Sequence, residues 1–145
     1  MASFLVWYPF CKYQPTKIDG KRLIHVETTK HTRHALIVDD KPLVREMVST
    51  YLGIEGYTFE TAANGQEGLA KFNAGKFDLV ITDRIMPDMD GAQLASAIKH
   101  ISPNTPIIML TATPPTDTPA DVDIVLEKPV TLATFSNAIR TLVPA

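Results

Sequence analysis

Five polar residues in this chain stand where chemistry could be done. Asp39 and Asp40 follow the apolar run Ala35-Leu36-Ile37-Val38, and Asp83, Thr111 and Lys128 each close a later apolar run. If those runs are parallel strands, all five side chains gather at the carboxyl edge of one sheet, where open α/β folds place their ligand crevice. Carboxylates brought together there repel, at about 4 kcal/mol for two unit charges roughly 4 Å apart at an effective dielectric of about 20, so the cluster calls for a cation. Mg²⁺ suits the donor set, because it takes hard oxygen ligands and is commonly held by one or two carboxylates together with phosphate oxygens. No His or Cys cluster in the sequence offers a zinc alternative. Lys128 adds a point charge able to reach Asp83 and to hold a transferred phosphoryl group. Phosphoryl transfer is then the natural chemistry, with Asp83 as in-line nucleophile, Mg²⁺ as bridge, and the Thr111 hydroxyl and Lys128 ammonium as donors to the remaining charge.

The elements that must position these residues alternate from Ala35 onward. The run 35–38 reads as a strand buried on both faces. Pro42 then suits a first helical turn, and Leu43, Val44, Met47, Val48, Tyr51 and Leu52 recur at helical spacing until Gly53 or Gly56. A second strand is expected over 57–62, a helix capped by Asn64 and ended by Gly75, a third strand over 77–82 and a third helix over 91–101. Strands over 107–110 and 122–126 and a last helix from near Thr131 complete the pattern. Such alternation predicts a parallel sheet covered on both faces. Between Thr111 and Val122, however, stand Pro114, Pro115 and Pro119, and each interior proline costs a helix about 3 kcal/mol. No full helix is expected there.

Composition narrows the function classes. At 145 residues, with 45% hydrophobic and 21% charged, the chain has the make-up of one globular domain rather than a disordered one. The lone Cys11 excludes an internal disulfide and suits a reducing, cytoplasmic setting. Residues 1–34 carry six Lys/Arg and two acids, a net +4, against eight and fourteen, a net −6, over 35–145. An acidic body is not a nucleic-acid footprint. Residues 1–33 show no sustained period and read as a poorly ordered extension, or as upstream translation absent from the mature protein, with 34–145 as the functional domain. The alternative is a docking tail using Trp7 and Phe10. Pro9 interrupts the run 4–8 before it could span a membrane, and neither membrane insertion nor a secretory signal is expected.

Each residue has a plainer reading when taken singly. Asp-Asp before a helix can be an N-cap, and Lys128 a solvated lysine. Asp88-Met89-Asp90-Gly91 is better explained as a turn capping the third helix than as a calcium loop, since the distal Glu is missing. His25, His31, His34 and His100 read as solvated. Jointly, five polar groups at strand ends are not accounted for by chance.

Four blocks in this order, Leu36-Ile37-Val38-Asp39-Asp40, Asp83 to Gly91, Leu110-Thr111-Ala112 and Glu127-Lys128-Pro129, resemble response-regulator receiver domains over nearly all of residues 34–143. The resemblance implies a flavodoxin-like, doubly wound five-stranded parallel sheet in the order 2-1-3-4-5, with the fourth helix shortened or missing here. It implies phosphorelay signalling in a two-component system. Asp83 would accept a phosphoryl group from a sensor histidine kinase or phosphotransfer protein, and would signal to a downstream protein target without turnover of a separate substrate. Asp40, Asp83 and the Ile85 carbonyl would bind Mg²⁺, with Asp39 orienting the metal or acting through water. Thr111 would follow the phosphoryl group, Lys128 would clamp it, and the Lys128-Pro129 bond would be cis. A degenerate receiver that only binds partners is the alternative. A phosphatase of the haloacid-dehalogenase type is weaker, because it wants an acid where Ile85 stands, and neither a P-loop nor Gly-x-Gly-x-x-Gly supports a nucleotide module.

Three departures from that family are legible. Val125 occupies the place of the usual aromatic that swings inward as the threonine moves. The interval from Thr111 to Lys128 is short and proline-bearing, so a changed output face is expected, without the common dimer through the fourth helix, fifth strand and last helix. Arg84 is a long cation directly after the nucleophile, to be read as a contact for the phosphoryl group or the kinase, or as a surface arginine. With the last helix ending near Val143, no output domain is expected to follow.

Overall fold

The computed structural model describes residues 31–114 and 116–144, together with the backbone of three strands before them, and divides into the units Met1–Thr32 and Arg33–Ala145. In the first unit, β1 (Val6–Tyr8), β2 (Cys11–Ile18) and β3 (Arg22–Thr29) form an antiparallel sheet in that order. From sequence, residues 1–33 read as a poorly ordered extension without a sustained period. Leu23 to Thr29 is rich in β-branched residues, and the three residues between the paired Ile18 and Arg22 are Asp19-Gly20-Lys21, a hairpin composition. Pro15 suits no central strand, but β1 pairs only with Cys11 to Tyr13, so β2 has a single neighbour at Pro15, where a missing N–H is tolerated. Phe10 of the expected docking tail lies outside the described residues.

The second unit is built from β4 (His34–Val38), α1 (Pro42–Ile54), β5 (Thr58–Ala62), α2 (Gly65–Ala74), β6 (Leu79–Asp83), α3 (Gly91–Ile101), β7 (Ile107–Thr111), β8 (Ile124–Glu127) and α4 (Leu132–Leu142). Its five strands are all parallel, in the order β5-β4-β6-β7-β8. Counted within this unit, that is the expected 2-1-3-4-5. Alternate strand residues feed two cores. Ala35, Ile37, Leu79, Ile81, Ile108 and Leu110 pack with Val48 and Leu52 of α1 and Phe135 and Ile139 of α4. On the other face Leu36, Val38, Val80, Ile107 and Met109 pack with Phe72 of α2 and Leu94 and Ile98 of α3. Burial on both faces is why β4, β6 and β7 read as unbroken apolar runs rather than as alternation.

The helix starts follow local chemistry. Pro42 opens α1, where a missing N–H is harmless. Asn64 accepts from the Glu67 N–H at the head of α2, and Asp90 and Gln93 form a reciprocal capping box on α3. Thr131 caps α4. α1 runs past Gly53, and Gly56, at φ 82°, supplies the left-handed residue that turns the chain into β5. Among the described residues from Ala112 to Asp123 there is no helix, as the prolines predicted. Nor is any described helix long and apolar enough to cross a membrane.

One glycine fixes the geometry beneath the polar edge. Gly91 starts α3 directly under the end of β6, its N–H donating to the Arg84 carbonyl at 2.9 Å, and a Cβ there would lie 2.1 Å from the Asp83 carbonyl oxygen. Gly91→Ala must therefore push α3 off the strand. We expect it to lower the unfolding free energy by about 2 kcal/mol or more, seen as a reduced urea midpoint; an unchanged midpoint would contradict this packing.

Candidate functional site

Parallel register brings the strand ends level. Val38 pairs with Ala62 and Thr82, Asp83 with Leu110, and Thr111 with Glu127, so the residues that follow emerge together at one edge. The Asp39 N–H donates to the Ala62 carbonyl at 3.1 Å and the Lys128 N–H to the Thr111 carbonyl at 2.7 Å, extending the ladders by one rung. Beyond Lys128 the cis bond to Pro129 turns the chain, and the Tyr51 hydroxyl holds it by donating to the Val130 carbonyl at 3.0 Å. That tether was not read from the sequence, where Tyr51 counted only as an apolar member of α1.

Asp39, Asp40 and Asp83 each place a carboxylate oxygen within 4.8 Å of the others. Asp39 and Asp83 are buried, at 1% and 5% exposure, whereas Asp40 is exposed. The Lys128 ammonium lies 3.0 Å from Asp83 Oδ1 and 3.4 Å from Asp39 Oδ2. Backbone donors complete the arrangement: the Arg84 N–H reaches Asp83 Oδ1 at 3.0 Å and the Lys41 N–H reaches Asp39 Oδ1 at 2.8 Å. Arg45 fixes the turn from α1, donating to the Asp39 carbonyl at 2.6 Å.

The electrostatics follow from this crowding. Burial pushes the Asp39 carboxyl above the ordinary range and the Asp83 charge pushes the same way, against the Lys41 N–H and the Lys128 ammonium. For Lys128 burial pulls downward, but the hydrogen bond to Asp83 and the charges of Asp39 and Asp83 outweigh it and raise its pKa. Its stabilising contribution is therefore fully present at neutral pH and is lost only as pH rises through that raised value.

Thr111 is buried at the same edge, its hydroxyl 3.2 Å from that of Thr113 and accepting from the Thr113 N–H at 3.3 Å. Ile85 stands in the loop after β6 with its side chain 71% exposed, and no backbone N–H among the described residues donates to its carbonyl. Asp90 caps α3 and, like Asp88, stays out of the carboxylate cluster, in keeping with a turn rather than a calcium loop. His34 stacks on Phe77 and bonds to Thr58 and Glu60, a structural role, while His31 and His100 are exposed. Val125 is partly buried on the α3 side of β8. Sequence reasoning singled out Arg84 but missed its partner: its guanidinium binds Asp117 Oδ1 at 3.0 Å in the proline-bearing loop. That pair holds the Asp117 carboxyl below its usual range.

With divalent ions chelated, Asp39→Asn is expected to stabilise the protein at neutral pH. A raised carboxyl binds more protons folded than unfolded, so the wild type loses stability as pH rises from about 4 upward, a loss that asparagine does not suffer. Urea titrations should show the gap between variant and wild type opening above that pH. A gap independent of pH would contradict the assignment.

Comparison with known proteins agrees with this geometry. The family model for the response regulator receiver domain matches residues 35–140. The transcriptional regulatory protein GlrR of Escherichia coli K12 is 46% identical over 79 residues, which is 54% of this chain but only 18% of that protein's length. The chemotaxis protein CheY4 of Vibrio cholerae superposes with a TM-score of 0.72 at 34% identity, over 77% of this chain and 99% of that one. The response regulator TrrA of Thermotoga maritima, solved in complex with Mg(2+)-BeF, gives the same TM-score and identity over 77% of this chain and 100% of its own. TrrA has also been solved in complex with the histidine kinase ThkA, and there it matches with a TM-score of 0.70 at 33% identity, over 77% of this chain and 99% of its own. With three carboxylates, a threonine and a lysine meeting at one sheet edge, and with residues 35–140 matched throughout, the chain belongs to the response regulator receiver domain family of two-component signalling.

Proposed function

We propose that Asp83 is a phosphoacceptor for a sensor histidine kinase or phosphotransfer protein, and that the phosphorylated form acts on a downstream protein. The observation that carries this reading is the Lys128 ammonium, 3.0 Å from Asp83 Oδ1 inside a cluster of three carboxylates. Lys128 and the Arg84 N–H hold Asp83 through the same oxygen, Oδ1. The other oxygen is left to attack phosphorus in line. A P–O bond to Asp83 forms as the donor's P–N bond breaks, and the electron pair leaves with the imidazole nitrogen, which takes up a proton.

The donor set fits Mg²⁺, since Asp39, Asp40 and Asp83 offer only hard oxygens at short range, and the Ile85 carbonyl, in the loop after β6, has no backbone donor among the described residues. A bound Mg²⁺ would supply positive charge to the phosphoryl oxygens. Asp40 and Asp83 would ligate it with the Ile85 carbonyl, and Asp39 would orient it or act through water. Thr111, at the same edge, would turn its hydroxyl from Thr113 to the phosphoryl group, and Lys128 would clamp a second oxygen. The protein on this reading is a cytoplasmic switch, a phosphoacceptor and not an enzyme with a separate substrate. The acidic balance of residues 35–145 keeps it from nucleic acid.

Intact mass after incubation with acetyl phosphate tests the reading. A gain of one phosphoryl group is expected with Mg²⁺, none with a chelator and none in Asp83→Asn. No gain with Mg²⁺ would leave the degenerate receiver as the better account. Because the loop after β7 has no helix and Val125 replaces an aromatic, the phosphorylated protein is further expected to keep the elution volume of the unphosphorylated form. Dimerisation through β8 and α4 would overturn that expectation.

A further inference from the structure

Arg84 and Asp117, far apart in sequence, touch. Arg84 stands next to Asp83 with its N–H on the Asp83 carboxylate, while its guanidinium reaches across to Asp117 in the proline-bearing loop after β7. Among the described residues this is the one ion pair joining the loop 112–121 to the rest of the unit. The remaining ties of that loop are short-range: Thr113 to Thr111, Thr116 to Asp117, and the Val122 N–H to the Pro119 carbonyl. Its prolines leave it no helical ladder, and this side-chain pair is its longest-range polar tie among the described residues.

That pair is easily exchanged. The two side chains are 28% and 66% exposed, and exposed ion pairs contribute little, because solvent screens them and two long side chains must be held. Phosphorylation would convert the Asp83 carboxylate, with one negative charge, into an acyl phosphate with about two and three strong acceptor oxygens. A guanidinium prefers such a group, which it can bind through two parallel N–H bonds. The Arg84 backbone already touches Asp83, so its side chain can swing to the phosphoryl group without any strand moving.

Resting on the phosphoacceptor reading above, we infer that Arg84 is a further phosphoryl contact of this site, held by Asp117 in the unphosphorylated protein and surrendered when the phosphoryl group arrives. The guanidinium serves one partner at a time. Phosphorylation therefore frees the proline-bearing loop, and the loop is the element that presents the change to a partner. Asp117 acts here as a positioning residue, with no part in phosphoryl transfer itself.

Hydrogen exchange at the loop amides tests this on the full chain, in wild type and Asp117→Asn, with acetyl phosphate and Mg²⁺ and with intact mass read on the same samples. In wild type, exchange at the hydrogen-bonded loop amides, read at Val122, whose N–H donates to the Pro119 carbonyl, is expected to quicken about twofold to fivefold on phosphorylation, the range set by losing one exposed ion pair. In Asp117→Asn the amides should already exchange at the faster rate, and the phosphoryl group, gained as fully as in wild type, should change them little. A mass gain with unaltered loop exchange in wild type overturns the inference and leaves the phosphoacceptor intact. So does an equal quickening in both proteins, which would mean that the loop responds without Arg84. Absence of any mass gain overturns the phosphoacceptor reading, and this inference falls with it.

Discussion

Three carboxylates at the end of one sheet should drive each other apart, and the placement of Lys128 is what makes their meeting tolerable. Its ammonium touches two of them, Asp83 and Asp39, and its own backbone N–H is fixed to the Thr111 carbonyl. Much of the surrounding architecture serves that one contact. β8 must run parallel to β7 in the register that pairs Thr111 with Glu127, or Lys128 would emerge a residue early or late, on the wrong face. The chain after it must turn at once, which the cis Pro129 allows and the Tyr51 hydroxyl secures from α1. A residue on the first helix thus helps to hold a cation that arrives some seventy-five residues later in the chain.

The offset is incomplete, unlike that of a simple ion pair. One ammonium stands against three carboxylates, and burial, with the Asp83 charge beside it, keeps Asp39 raised in pKa despite the Lys41 N–H and Lys128. A buried charge left partly uncompensated costs stability. The cores on either side of the sheet supply it, with β4, β6 and β7 almost wholly buried. Buried strands below and deficient positive charge above mark this edge, and folding alone gives no reason for Asp40 to be there, exposed and adding to the repulsion.

Much of this was legible because the site residues mark the ends of unusually clear elements. Ala35 to Val38 and Ile107 to Leu110 are continuous apolar runs, Asn64, Asp90 and Thr131 are caps of the preferred types, and Pro42 opens a helix. Where the reading fell short, the signal was long-range or conflicting. β1 to β3 were not read because residues 1–34 show no sustained period and Pro9 cuts the run 4–8, although Asp19-Gly20 stands between two runs that pair. The Tyr51 tether joins residues 79 apart and the Arg84–Asp117 pair residues 33 apart. No local pattern announces either, since tyrosine on a helix stripe looks like core and aspartate in a loop looks solvated. Thr111 was placed at the right edge, but its hydroxyl faces Thr113, a partner that only the turn of the following loop brings near.

The loop after β7 is where local chemistry most constrains how such a site could communicate. A helix there would couple a shift at Thr111 to a rigid body, and an aromatic at position 125 would fill the space the threonine leaves. With three prolines and Val125 instead, neither a rigid body nor a large side chain is present to carry motion outward. What links the acidic edge to the surface is charge and hydrogen bonding at two points, Thr111 to Thr113 and Arg84 to Asp117. Both originate in residues at the site and both end in the loop. Such links are weak one by one, so a modest change of charge at Asp83 is enough to rearrange them, and a loop without a helical ladder has little else to resist it. Coupling of this kind runs through a segment held by few bonds and not through a stiff lever, and the prolines contribute by denying that segment a helical ladder.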